Sequence, residues 1–447
     1  MTIEHLIPFR SMQRSSSLIA PSFRKFLGLA LSLSALSASA EVSFSGFGTL
    51  GYARSDQSYA YQRFIDDKGT FKRDSIFGAQ MDATFTPQLS ATVQIKVAPA
   101  LDSDNRWQAS VPWAFLAYRP SNDWLLRLGK LRVPFYLNSE NTDVGATFDA
   151  ARLPIEVYST SPTADLTGVA FGKTWNLGDN ELNLDGYWGK TSNYWRFYRR
   201  DNVPGLAGAG PQFVPFDGQG SGLVLTWRQD ENIFRAGVHS LDAKTPAQPT
   251  PVTFPFVAIP GLPPGVGYYQ VGDSLPGPGV PSLSKFNNKV YTLAADIGLG
   301  SNVRLSGEYV RRAVKEVETG PDSQAAYLSL RKRIGQWTPY ATYAWLRSES
   351  RVSNLYQAVN NSKLPTFIPG AAQINVSQRL AADGIAAYDQ SSLSLGASYA
   401  LSPTSKLKAE WMRTHVGKVS SLVDAPPGAD VSQTNINVLS LSYSFVF

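Results

Sequence analysis

Beyond residue 40, apolar and polar residues exchange at every second position over much of the chain. Leu89, Ala91, Val93, Ile95 and Val97 share one parity, while Ser90, Thr92, Gln94 and Lys96 hold the other. The preceding stretch repeats the pattern, with Phe77, Ala79, Met81, Ala83 and Phe85 set against Gly78, Gln80, Asp82 and Thr84. The chain ends the same way, with Leu439, Leu441, Tyr443, Phe445 and Phe447 set against Ser440, Ser442 and Ser444. Side chains of a strand point alternately to its two faces, so each run predicts a strand with one apolar and one polar face. Read along the whole chain, the alternation predicts sixteen strands, at 42–54, 73–86, 88–99, 109–119, 123–132, 166–177, 181–191, 220–229, 232–242, 287–299, 302–315, 322–334, 336–349, 388–401, 405–418 and 433–447.

The connections alternate as well. Every second one is tight: "TPQ", "PSND", "LGDN", "RQDEN", "LGSN", "IGQ" and "SPTS". The others are long. The longest, 243–286, is rich in Pro and Gly ("IPGLPPGVGYYQVGDSLPGPGVP"), a composition that predicts neither helix nor strand. Alternating segments of about ten residues, with short turns at one end and long loops at the other, are the pattern of a transmembrane β-barrel. The predicted fold class is therefore all-β, a transmembrane antiparallel β-barrel over 41–447 with short periplasmic turns and long extracellular loops. An even strand number lets the first and last strands pair and removes the edges. No fixed repeat period supports a solenoid. On four strands that rise from tight turns, an aromatic precedes a base on the lipid-facing parity: Trp188–Lys190, Tyr309–Arg311, Trp345–Arg347 and Trp411–Arg413. A charge costs roughly 2–4 kcal/mol at mid-bilayer but about 0–1 near the interface, which places these bases at the outer rim. There they meet anionic lipid head groups, or they are ordinary exposed charges at strand ends. Tyr118, Tyr399, Tyr443 and Phe447 fall toward the turn end and predict an opposite aromatic girdle.

Residues 1–40 are different. Arg14, Arg24 and Lys25 precede the short apolar run "FLGLALSLSALSASA", which ends in the small-x-small triplet Ala38-Ser39-Ala40. This is the layout of a cleaved export signal, and the run is shorter than the ~20 apolar residues a spanning helix needs. Cleavage would take four bases and one acid from a chain of net charge +6, leaving +3, too balanced to suggest a nucleic-acid partner. There is no cysteine, so disulfides and thiolate metal sites are absent, and neither a metal nor a cofactor is expected. The stretch "VSFSGFGTLG" contains a literal G-x-G-x-x-G, but no full strand precedes it and no apolar helical stripe follows, so the dinucleotide reading fails. In a barrel strand, Gly46, Gly48 and Gly51 relieve crowding where the sheet bends or another backbone approaches.

The segments "VSFSGFGTLGYA", "AFLAYRPSNDWLLRLGKLRVPF", "LNLDGYWGKT" and the terminal "SLSYSFVF" resemble those of sixteen-stranded Gram-negative outer-membrane porins. The resemblance covers the layout of 41–447. It implies a homotrimer in the outer membrane, contact with outer-membrane lipid and lipopolysaccharide, and an inward loop at 133–165 that narrows the channel. It also implies that Tyr443, Phe445 and Phe447 carry the signal read by the outer-membrane assembly machinery. The inward segment offers Glu140, Asp143, Asp149, Glu156 and Asp165, but lacks the Pro-Glu-Phe-Gly-Gly-Asp pattern of enteric general porins. "LGKLRVPF" followed by "ARLPIEVY" resembles the phosphate-selective porins instead.

Sixteen strands enclose an aqueous lumen whose diameter and lining charges set what passes, with small polar solutes as the expected cargo. By alternation the wall bases are Lys96, Arg127, Arg228, Arg235, Arg304, Arg312, Arg331, Arg333, Lys406 and Lys408, facing Asp82, Asp185, Asp296, Glu308 and Glu410. Arg304 and Arg312 on one strand, with Arg331 and Arg333 on the next, stand out as wall candidates. Two arrangements fit: a transverse field between loop acids and wall bases, or ion pairs that merely brace the wall. The first function is passive diffusion, with an anion- or phosphate-selective channel as the alternative. A barrel adhesin or receptor shares the fold. A barrel enzyme would need a nucleophile beside His239 or His415, and neither carries a G-x-S-x-G or metal-ligand spacing, so no catalytic residue is expected.

Overall fold

The computed structural model describes residues 41–202, 208–245 and 249–447. The predicted export signal at 1–40 lies outside the described residues. The alternation is expressed as sixteen strands: β1 (Glu41–Ser55), β2 (Ile76–Thr84), β3 (Leu89–Pro99), β4 (Trp107–Ser121), β5 (Trp124–Arg132), β6 (Asp165–Leu177), β7 (Asn180–Arg199), β8 (Gly210–Gln229), β9 (Asn232–Lys244), β10 (Phe286–Gly300), β11 (Val303–Ala313), β12 (Ser323–Lys332), β13 (Trp337–Ser348), β14 (Tyr388–Ser402), β15 (Ser405–Ser420) and β16 (Thr434–Val446). They pair antiparallel with their sequence neighbours into one closed barrel. Closure joins β1 to β16 in the register Gly48↔Phe445 and Gly51↔Ser442. Phe447 N–H and C=O bond Gly46 at 3.0 and 2.8 Å, so no edge is left.

The glycine motif is the interior of β1. Gly46 and Gly48 lie beneath the rings of Phe447 and Phe445, where any Cβ would collide; at Gly48 it would stand 2.6 Å from the Phe445 ring. No helix follows, in keeping with the rejected dinucleotide reading.

The outer face carries the apolar parity, exposed on strand after strand in Leu223, Leu225, Val238, Leu293, Leu439 and Leu441. Exposed Tyr118, Trp337 and Tyr443 gather at the turn end, with the Trp337 and Tyr399 rings 4.8 Å apart. Apolar side chains left open in a ring suit hydrocarbon rather than water, with amphipathic rings at its border.

Three features depart from the predicted layout or add to it. First, β7 and β8 run far beyond 181–191 and 220–229 as a hairpin of 20 residues on each side, where about ten cross a bilayer. Pro211, Pro215 and Gly218 punctuate the extension without ending it, since each still pairs with β7. Second, the connection after β13 holds two helices, α1 (Ser350–Asn361) and α2 (Ala371–Asp383). Third, the 243–286 connection contains two short ribbons, Thr250–Pro251 with Ser282–Leu283 and Phe256–Ala258 with Gly267–Tyr269. This long connection packs on the helices through Phe254, Val352, Leu355 and Val359, and Tyr269 N–H donates to Gln378 Oε1 at 2.7 Å. Arg200 and Asp383, 2.5 Å apart, and Arg379 and Asp201, 2.7 Å apart, then tie α2 to the tall hairpin.

Candidate functional site

Two connections fold into the barrel. The 133–164 segment docks on the inner faces of β10–β13, where Val133, Phe135, Tyr136 and Val157 bury against Val290, Val310, Ala325 and Leu346. The second, 56–75, was not foreseen as an inward loop. Its Tyr61 and Ile65 are fully buried against Met412, Val416, Ile436 and Val438 on β15 and β16. A sequence marker existed in both places: these wall residues are apolar on the parity that should face water. Polar bonds add to the docking. Glu308 accepts Tyr158 Oη (2.7 Å), Tyr327 Oη (2.9 Å) and Leu137 N–H (3.0 Å). Glu410 accepts Tyr340 Oη at 2.8 Å.

The loop carboxylates meet wall bases as ion pairs. Asp143 lies 2.7 Å from Lys96 and 2.6 Å from Arg132. Burial pushes its carboxyl up, but the two cations outweigh burial and hold it at about 2. Asp149 accepts Lys406 at 2.8 Å and lies 3.9 Å from Arg331; burial is again outweighed and its carboxyl is held below the usual range. Glu156 forms no ion pair among the described residues, although the Arg152 charge acts on it. It is buried, bonds Gln390 Nε2 at 2.8 Å, and burial pushes its carboxyl up. Glu140 is exposed. On the wall, Arg304 and Arg331 share Asp296 at 2.9 and 2.7 Å, and Arg304 also reaches Glu231. Arg127 stacks 5.9 Å from Phe115, and its Nε has no acceptor among the described residues. Arg333 is not on the wall: β12 stops at Lys332, and Arg333 is exposed in the turn that Gly335 makes with a φ of 60°. The described imidazoles bond Tyr187 (His239, 2.7 Å) and Asn435 (His415, 3.2 Å), so the hydroxyl–imidazole approach a barrel hydrolase needs is not formed with serine.

Above the inward loops the lumen opens into a cavity of about 660 Å³. Eight bases and two acids, Asp74 and Asp143, line it. The 56–75 loop contributes Arg63, Lys72 and Arg73; by alternation the first two fall in a long connection and Arg73 at the start of the predicted strand 73–86. Arg63 and Arg196 pair with Asp104, Arg196 also with Asp424 at 2.5 Å, and Arg152 grips Asp74 through two bonds of 2.7 and 2.5 Å. Four lining bases, Lys72, Arg73, Arg312 and Lys408, form no direct ion pair among the described residues. Lys72 Nζ donates to Asp104 C=O at 2.7 Å. Arg73 Nε reaches Gln62 Oε1 at 3.4 Å, and Arg312 Nε reaches Asn288 Oδ1 at 3.3 Å. Lys408 Nζ donates to the carbonyls of Gly145 and Ala150 at 2.6 and 2.9 Å and lies 4.1 Å from the Phe148 ring centroid.

No family model and no curated protein matches the chain in sequence. Solved structures match it in shape. A loop-deletion mutant of OmpT, an outer-membrane protein of Vibrio cholerae, is 12% identical, with 91% of this chain and 99% of that chain covered and a TM-score of 0.50. Pseudomonas putida OprB at high pH is 8% identical, with coverages of 95% and 97% and a TM-score of 0.51. An anion-selective porin of Comamonas acidovorans is 11% identical, with coverages of 92% and 100% and a TM-score of 0.47. At such identities the likeness is one of fold: the chain has the closed sixteen-stranded barrel of outer-membrane porins.

Proposed function

We propose that this chain is an outer-membrane porin, a water-filled channel for passive diffusion of small hydrophilic solutes that favours anions. The supporting observation is the cavity inside the barrel, lined by eight bases and two acids. In a low-dielectric wall, fixed charge of one sign raises the local concentration of the opposite ion. The inward 133–164 loop is then the constriction. Two of its acids, Asp143 and Asp149, are neutralised by Lys96, Arg132, Lys406 and Arg331, so the surplus bases of the cavity set the sign of the field. The export signal, insertion through Tyr443, Phe445 and Phe447, contact with lipopolysaccharide and a homotrimeric assembly belong to the same reading.

Single-channel current of the purified protein in a planar bilayer under a KCl gradient tests it. Stepwise ohmic conductance with a reversal potential of anionic sign is expected. A folded, heat-modifiable barrel that carries no current would overturn the channel and favour a surface adhesin. Strong block by millimolar phosphate would mark the phosphate-type channel instead. That version is less well supported, because a phosphate dianion wants several donors converging in one cradle. Arg312 on β11 and the Arg63–Arg73 group beside β1 stand six places apart around the ring of sixteen strands.

A further inference from the structure

The bases of the vestibule sit among aromatic rings. Eight of the 43 residues lining the cavity are aromatic, among them Phe64, Phe148, Tyr158, Trp195 and Tyr388. A channel that only conducts hydrated ions gains nothing from them, since a ring offers a small ion no hydrogen bond. The rings and cations are also already in register. Arg63 lies 4.7 Å and Lys72 6.0 Å from the Phe64 centroid, and Lys408 lies 4.1 Å from that of Phe148. The volume, about 660 Å³, lies in the range of small-molecule sites, about 300–1,000 Å³.

We infer that the vestibule is a binding site for aromatic carboxylates, with the carboxylate on Arg312 or Arg73 and the ring laid against Phe148, Trp195 or Phe64. This rests on the channel reading and names its solute class. A planar carboxylate matches the fork of a guanidinium in two parallel bonds. Arg312 suits that role because its side-chain partner is the neutral amide of Asn288 rather than a carboxylate, which leaves Nη1 uncommitted among the described residues. The aryl group then buries against rings of the same shape, where offset or edge contact adds to simple burial. A site that both attracts and holds such a solute concentrates it at the constriction without any energy input.

The test has two readouts. In planar bilayers, millimolar benzoate added on one side is expected to reduce and roughen the current, whereas equal acetate or inorganic phosphate is not. In parallel, calorimetric titration of the detergent-folded barrel measures benzoate binding independently of conductance. Arg312→Gln, checked for heat-modifiable migration, is expected to weaken benzoate binding about tenfold or more, the effect of losing a hydrogen bond to a charged group. Benzoate acting no better than acetate, or binding unchanged by Arg312→Gln and by Arg73→Gln, overturns the inference while leaving the channel intact. Titratable benzoate binding to a barrel without conductance would keep the site and overturn the channel.

Discussion

Asp143 and Glu156 lie on the same inward loop, and their surroundings push their carboxyls in opposite directions. Asp143 is kept at about 2 by Lys96 and Arg132, against an unfolded value near 3.9. Its contribution, roughly 2 kcal/mol, is therefore present above about pH 4 and lost as pH falls through about 2. Asp143→Asn is expected to lower the thermal midpoint at pH 7, because two half-buried cations lose their anion. It should also flatten the acid limb of stability between about pH 4 and pH 2. Glu156 runs the other way: burial raises its carboxyl above 4.5, so its favourable protonated form is fully present below that pH and is lost as pH rises. Glu156→Gln keeps a carbonyl acceptor for Gln390 and removes the charge. It is expected to leave the midpoint unchanged in acid and to raise it at pH 8; a lower midpoint at pH 8 would mean that Glu156 is ionised and paired. The acids themselves were legible in sequence, but their partners were not. Asp143 with Lys96, or Arg152 with Asp74, pair across long stretches of chain, and only the docked path of the loop brings them together.

Docking of the 56–75 loop depends on two side chains. Tyr61 and Ile65 fill a pocket on β15 and β16, and Tyr61 Oη also meets Thr414 Oγ1 at 3.1 Å. Emptying such a site by Ile65→Ala costs about 2–5 kcal/mol, most of which should appear as undocking of the loop rather than unfolding of the barrel. Limited trypsin digestion after Arg63, half-buried and paired with Asp104 in the native loop, is the measurement. Cleavage is expected to be faster in the variant while heat-modifiability persists, and equal cleavage would assign the docking to other contacts. The strands around this loop were readable because a period of two survives wherever one face meets lipid. The inward loops are harder to read: Ile436 and Val438, or Val290 and Val310, are apolar on the lumen parity, which alternation alone does not distinguish from ordinary strand composition. The 133–165 loop follows only from the porin resemblance. The helices escaped for a related reason. Val352, Leu355 and Val359 make a helical stripe of only three residues, buried under a loop rather than in a domain core.

At the scale of the whole molecule, charge is unevenly placed rather than abundant. The chain carries 41 bases and 35 acids, yet the cavity has eight bases for two acids, so the surplus sits inside the barrel. The network Arg63–Asp104–Arg196–Asp424 ties the connections together and holds two of those bases, Arg63 and Arg196, at the cavity. A field built from fixed charges bordering water is screened by salt: the Debye length is about 10 Å at 0.1 M and about 3 Å at 1 M. If these bases set selectivity, the anionic reversal potential under a KCl gradient is expected to be large near 0.1 M and to shrink toward zero near 1 M, while conductance rises. Lys72→Gln combined with Arg73→Gln removes two unpaired bases without stranding a carboxylate. It should reduce the low-salt reversal potential and leave the high-salt value almost unmoved. A reversal potential that is the same at both salts, or indifferent to the double substitution, would transfer the selectivity from the vestibule charges to the dimensions of the constriction.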